Sequence, residues 1–155
     1  MTFWKTYKPY ILQIGLALAV GGVSPLLSGG QEIYDELVRP PLSPPGWVFP
    51  VVWTILYILM GIGAGLVQTS GDRSGDKALR AYYIQLALNL LWSPIFFRFE
   101  LIGLAAVWLV LLTAAVWTAR QRFAAVSDSA GTLLLPYFLW CLFALYLNVG
   151  FVLLN

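Results

Sequence analysis

Apolar stretches of about 20 residues, each bounded by clustered charges, take up nearly the whole chain, and no Asp, Glu, Lys, Arg or His lies deep inside any of them. A helix of that length crosses roughly 30 Å of hydrocarbon, and in lipid it satisfies its own backbone. The stretches run over Tyr10–Gly29, Trp47–Thr69, Ala78–Phe97, Leu101–Ala119 and Gly131–Leu154. Hydrophobic residues make up 60% of the chain and charged residues 10%, whereas a soluble domain has about 45–50% and about 25%. The residue-by-residue alternation of a membrane barrel is absent, and the runs are rich in Leu and Ala. The expectation is an all-α integral membrane protein, a single domain over residues 1–155 built as a bundle of five transmembrane helices.

With five crossings the termini face opposite sides. Lys5, Lys8, Arg73, Lys77, Arg80, Arg120 and Arg122 then share one face, and the other holds only Arg39 and Arg98. The excess of positive charge predicts a cytoplasmic N-terminus, without saying which membrane is crossed. The first run is long for a leader, and its end, SPLLSGG, has no clear cleavage site. FRFEL reads as a tight helical hairpin and TSGDRSGDK as a flexible turn. QEIYDELVRPPLSPPG is the one long connection. A short amphipathic helix followed by proline-stiffened chain is expected there, either lying over one mouth of the bundle as a lid or serving as a plain spacer.

Polar and aromatic residues inside the runs fall on helical faces. Gln85, Asn89, Trp92 and Phe96 are spaced four, three and four apart, so they share one stripe. Two amides and two rings there suit a cavity lining, with amides that orient a polar edge and rings that sandwich a flat body. Interhelical hydrogen bonding with plain packing is the alternative. Trp53, Tyr57 and Met60 share a face of the second run, and Pro50, one turn earlier, predicts a kink that aims Trp53. Trp47 stands where an interfacial aromatic belt is expected. Gly61 and Gly65 permit close approach of another helix, within the chain or across a dimer. In the last run Trp140, Ala144 and Leu147 form a stripe flanked by Phe143 and Asn148, and Pro136 predicts a bend. Three helices thus each offer a deep tryptophan, which suits a concave site for a flat apolar ligand.

Several kinds of chemistry are excluded. The chain has no histidine and one cysteine, Cys141, so neither a metal site nor an internal disulfide is expected. No phosphate-cradling glycine motif occurs. The net charge of +2 without a basic aromatic patch argues against a nucleic-acid partner. Without mid-membrane ionisable groups, ion-coupled transport is not expected. Turnover would have to use tryptophan or tyrosine redox chemistry or the ligand's own reactivity.

Four ordered blocks resemble the translocator protein family, also called tryptophan-rich sensory proteins or peripheral-type benzodiazepine receptors. They are YDELVRPPLSPPGW from Tyr34, FPVVWTILYILMG from Phe49, QLALNLLWSPIFF from Gln85 and LPYFLWCLFALYLN from Leu135. The resemblance implies a five-helix bundle, a homodimer, and a pocket near the first loop that takes porphyrins or other tetrapyrroles. Cholesterol and benzodiazepine-site drugs are further ligands of the family. Some bacterial members are reported to degrade protoporphyrin in light and oxygen through two pocket tryptophans, which by motif are Trp53 and Trp140. The same carry-over gives Tyr34 and Pro45 in the first loop, Asn89 and Trp92 on the third helix, and Ala144 on the fifth as ligand positions. No Lys or Arg follows Arg122, so the basic residue of the animal cholesterol motif has no counterpart and a bacterial-type role is favoured.

The expected function is binding and sensing of tetrapyrroles, porphyrins or open-chain bilins, with the tetrapyrrole as ligand and no intrinsic cofactor. The expected ligand contacts are Tyr34, Pro45, Trp53, Tyr57, Gln85, Asn89, Trp92, Phe96, Trp140, Phe143, Ala144 and Leu147. Light- and oxygen-dependent tetrapyrrole degradation, with Trp53 and Trp140 as catalytic residues, is one alternative, and passive carriage of tetrapyrroles or lipids is another. Membrane lipids and a second copy of the chain are the other expected partners.

Overall fold

The structure, a computed structural model, describes residues 2–30 and 32–155. Six α-helices and one π-helical turn make up its regular structure: α1 Thr2–Ser28, α2 Glu32–Glu36, α3 Val48–Thr69, α4 Gly75–Ser93, the π turn Pro94–Arg98, α5 Ile102–Val126 and α6 Asp128–Leu154. No strand occurs among the described residues.

Four helices, α1, α3, α5 and α6, are long and apolar enough to cross a membrane. The expected third span falls on α4 and the π turn. Asp76, Lys77 and Arg80 occupy the first turns of α4, and these charges keep it out of that group. The expected FRFEL hairpin is confined to residues 99–101, with Glu100 at φ 55° closing the turn.

The long helices form a ring. α1 packs on α3, α3 on α6, α6 on α5, α5 on α4, and α4 back on α1. Small residues set the closest approach. A Cβ on Gly61 would stand 2.5 Å from the Ile14 backbone, one on Gly65 2.5 Å from the Tyr10 ring, and one on Gly21 2.5 Å from the Tyr57 ring. The Gly61–Gly65 face is therefore spent on α1 within the same chain and is not free for a dimer.

One end of the ring is filled and the other is hollow. Toward the basic end, Met60, Ala64, Tyr82, Val116, Phe123 and Leu134 pack into a closed core. Gln13 there donates to Gln68 Oε1 at 2.9 Å and to the Tyr83 hydroxyl at 2.7 Å, which ties α1, α3 and α4 together. Toward the other end the rings of Trp53, Trp92 and Trp140 hold the helices apart and leave a cavity. Pro50 acts differently from expectation. Pro50 lies in the first turn of α3, where a missing N–H costs no helical bond, so it ends the loop and does not kink the helix. Pro94 has no N–H to return to the preceding turn, and the chain widens there into the π turn, closed by Phe99 N–H donating to Pro94 O at 3.0 Å. Pro136 lies inside α6. Trp47 is 69% exposed at the start of α3, as a belt residue should be.

Candidate functional site

The cavity has a volume of about 320 Å³, in the range of small-molecule sites. All its walls come from the half of the bundle that carries the long connection. α3 supplies Trp53 and Tyr57. α4 and the π turn supply Asn89, Trp92 and Phe96. α6 supplies Trp140, Ala144 and Leu147, and α2 supplies Tyr34. These nine belong to the twelve expected contacts. Three do not line the cavity. Pro45 is exposed on the outer side of the loop. Phe143 sits behind Trp140 at a centroid distance of 5.4 Å. Gln85 lies one turn below Asn89, 1% exposed, beneath the floor.

The floor is a hydrogen-bonded relay. Tyr57 Oη donates to Asn89 Oδ1, Asn89 Nδ2 donates to Tyr137 Oη, and Tyr137 Oη donates to Gln85 Oε1, each at 2.7 Å. The relay ties α3, α4 and α6 at one level. It satisfies both phenols and engages both amides, while Gln85 Nε2 stays a buried donor without a partner among the described residues. Gln85 thus serves the interhelical role weighed as the alternative to lining. Asn89 serves both roles, because it faces the cavity while one amide N–H and one lone pair remain uncommitted.

The rings form two connected sets, one around Trp53 and one that runs from Trp92 through Phe96, Phe151, Tyr34 and Phe49 to Trp140. Trp53 stacks on Tyr57 at 5.6 Å and meets Tyr137 edge-on at 5.9 Å. Trp92 stacks on Phe96 at 5.3 Å, and its indole N–H donates to Asn148 Oδ1 at 3.2 Å. Asn148 also donates to the Ile102 carbonyl at 3.0 Å, so it fixes Trp92 against both α5 and α6. Trp140 packs against Phe49 and Phe143. Its indole nitrogen is a buried donor without a partner among the described residues.

The long connection covers the mouth. Tyr34 Oη donates to the Pro44 carbonyl at 2.6 Å, and its ring sits edge-on to Phe49 and Phe151. Arg39 folds back over that ring at 4.6 Å and pairs with Asp35 at 2.7 Å. Burial pushes the Tyr34 phenol above its ordinary pKa, against the pull of Arg39, so it stays a neutral donor. Farther along, Tyr146 Oη donates to Pro41 O at 2.7 Å, and the Asn155 side chain brackets Val38 at 2.9 and 3.1 Å. Pro40 lies so close to Gly150 that a Cβ there would meet it at 2.6 Å. The connection is a strap latched to the end of α6. Gln31, its expected first residue, lies outside the described residues.

Sequence reasoning missed the wall that α1 supplies: Leu18, Gly21, Gly22, Ser24 and Pro25. Leu18, Gly22 and Pro25, with Pro50 and Thr54 of α3, are also exposed, so the cavity opens sideways between these helices. Pro25 has no N–H, which leaves the Gly21 carbonyl without its helical donor on the segment that lines the site. The Gly-Gly pair followed by Ser-Pro was the available signal.

Comparison with known proteins gives a consistent result. The pattern of the TspO/MBR family matches residues 13–154. The tryptophan-rich protein TspO of Chlorobaculum tepidum is 40% identical over 148 residues, covering 93% of this chain and 94% of that protein. The tryptophan-rich sensory protein of Cereibacter sphaeroides is 32% identical over 152 residues, covering 98% and 92%. The translocator protein of Ovis aries is 33% identical over 148 residues, covering 90% and 88%.

Proposed function

The chain belongs to the TspO/MBR family, and from that membership together with its ring-lined cavity we propose that it is a membrane binding and sensing protein for a flat tetrapyrrole, a porphyrin or a bilin. The observation that carries the reading is the convergence of Trp53, Trp92 and Trp140, from three different helices, on one cavity. A flat conjugated ligand gains about 0.5–1.5 kcal/mol from each such ring beyond the burial of its area. The names of the relatives, sensory protein and translocator protein, agree with ligand recognition in a membrane.

The polar groups sort by availability. Trp92 is already engaged with Asn148, and Asn89 with two phenols. The uncommitted donors, the Trp140 indole N–H and the second Asn89 amide N–H, are the groups suited to an acceptor on the ligand, such as a propionate or a lactam oxygen. A macrocycle wider than the enclosed space projects through the sideways opening between α1 and α3. The strap bounds the opposite edge, with Tyr34 as its contact. In this reading α4 with its π turn is the remaining crossing, which makes five, and the basic end with the N-terminus is cytoplasmic. A homodimer, which the family resemblance implies, uses a face other than Gly61–Gly65.

The test is illumination of the purified protein loaded with protoporphyrin IX under oxygen. Stable absorbance with saturable binding supports a binder and sensor. Protein-dependent bleaching that a Trp53→Phe, Trp140→Phe double variant abolishes assigns photo-oxidative degradation instead. Absence of saturable binding in the dark overturns both.

A further inference from the structure

Seven basic side chains lie at the end of the bundle away from the strap, and Arg120 differs from the other six. Its guanidinium lies over the Trp117 ring at 5.0 Å, and Trp117 packs on Phe138 at 4.8 Å. Trp117 precedes Arg120 by one turn in a helix that runs toward the basic end. Arg120 therefore folds back toward the apolar middle of the bundle and away from the water beyond the helix end. Helical side chains lean toward the N-terminus of their helix, which favours this direction. From Arg120 to the end of α5 at Val126 the rise is about 9 Å.

A cation set back from the end of a membrane-crossing helix pairs with an anion, meets backbone carbonyls or snorkels to the headgroup level. The one ion pair among the described residues is Arg39–Asp35, at the other end, so Arg120 has no carboxylate partner. Its Nε is buried and has no hydrogen-bond partner among the described residues. Trp117 is 37% exposed and Phe138 half-buried, so the rings beneath the cation face outward. A cation above two outward rings follows the order of a lipid leaflet, headgroup above acyl chain.

We propose that Arg120, Trp117 and Phe138 form a binding site for one anionic phospholipid. The phosphodiester pairs with the guanidinium, and an acyl chain lies along the two rings. A second copy of the chain fits less well. It would have to bring a carboxylate to this depth, and Asp72, Asp76 and Asp128 all stand in the connections or the first turn of a helix. The site is separate from the cavity and stands whatever the cavity binds.

The experiment is native mass spectrometry of the full chain released from micelles doped with equal phosphatidylglycerol and phosphatidylcholine of the same acyl composition. The account expects one retained phosphatidylglycerol. It expects Arg120→Gln to reduce the preference about fivefold, the share one basic residue contributes at an anionic leaflet. Arg122→Gln, at an exposed cation without a ring, keeps the preference, and Trp117→Leu weakens retention while leaving the cation. Circular dichroism of each variant checks that the bundle is intact, and Arg120→Lys restores part of the preference in a folded protein. Equal retention of the two lipids overturns the proposal. So does an equal loss in Arg122→Gln, or a dimer peak that carries no lipid and vanishes in Arg120→Gln. Retention of soluble glycerol phosphate as strong as that of the lipid would assign a free phosphate site and also overturn it.

Discussion

Replacing Gly21 by alanine tests how packing between α1 and α3 sets the geometry of the cavity. The added Cβ would stand 2.5 Å from Tyr57 Cε2 and 2.7 Å from Cδ2, whereas carbon atoms rest about 3.5–4.0 Å apart. The ring must retreat by about 1 Å to restore that separation. It has little freedom to do so, because Tyr57 is 5% exposed, stacked on Trp53 and hydrogen-bonded to Asn89 at 2.7 Å. A shift of that size carries the phenol to the limit of hydrogen bonding and breaks the floor relay at its first link. Overpacking of this kind costs about 1–3 kcal/mol. Alanine returns about 0.5–1 kcal/mol of helix propensity. The net expectation is a loss of up to about 2.5 kcal/mol, read as a lower midpoint in thermal unfolding of the protein in detergent. Trp53 moves with Tyr57, so ligand affinity falls as well. Gly15→Ala is the control. A Cβ there meets nothing within 4 Å, and the variant keeps the propensity gain. A Gly21→Ala protein as stable as Gly15→Ala would refute the reasoning.

Three other substitutions probe separate parts of the account. Asn148→Leu removes the acceptor of Trp92 and the donor to Ile102, and leaving those buried groups unpaired lowers stability by about 1–3 kcal/mol in the same unfolding assay. Tyr146→Phe unlatches the strap from α6 at Pro41, with a stability loss of about 0.5–1.5 kcal/mol and faster hydrogen exchange at the amides of Val38, Arg39, Leu42 and Ser43. Glu100→Gly relieves a left-handed conformation at φ 55° and raises stability by up to about 1 kcal/mol, read as a higher unfolding midpoint.

The lining from α3, α4 and α6 was legible in the sequence because tryptophan, tyrosine and amide side chains stand out within apolar helices and recur at helical spacing. Asn89 and Gln85 show the limit of that method. They share a face, and only their depth, relative to where the rings stop, separates cavity wall from buried floor. The contribution of α1 was not legible for a different reason. Gly21, Gly22, Ser24 and Pro25 have small side chains with no chemistry of their own, and they line the site because their smallness leaves room beside Tyr57 and Trp53. Likewise, Gly61 and Gly65 announced a close contact but not its partner, which is set by how α1 returns past α3. The strap was foreseen from its prolines and length. Its anchors, Tyr146, Gly150 and Asn155, lie more than 100 residues farther along the chain, and no local pattern joins them to it.

The central claim is that the cavity between the three tryptophans holds a flat tetrapyrrole. The most direct measurement is a dark titration with protoporphyrin IX, followed by quenching of tryptophan fluorescence, in the unaltered protein and in Ala144→Phe. Ala144 lines the cavity beside Trp140, so the larger side chain fills space that the ligand needs. The account predicts saturable quenching at one porphyrin per chain in the unaltered protein and a large loss of affinity in Ala144→Phe at an unchanged unfolding midpoint. Equal affinity in the two proteins would place the porphyrin elsewhere and contradict the claim.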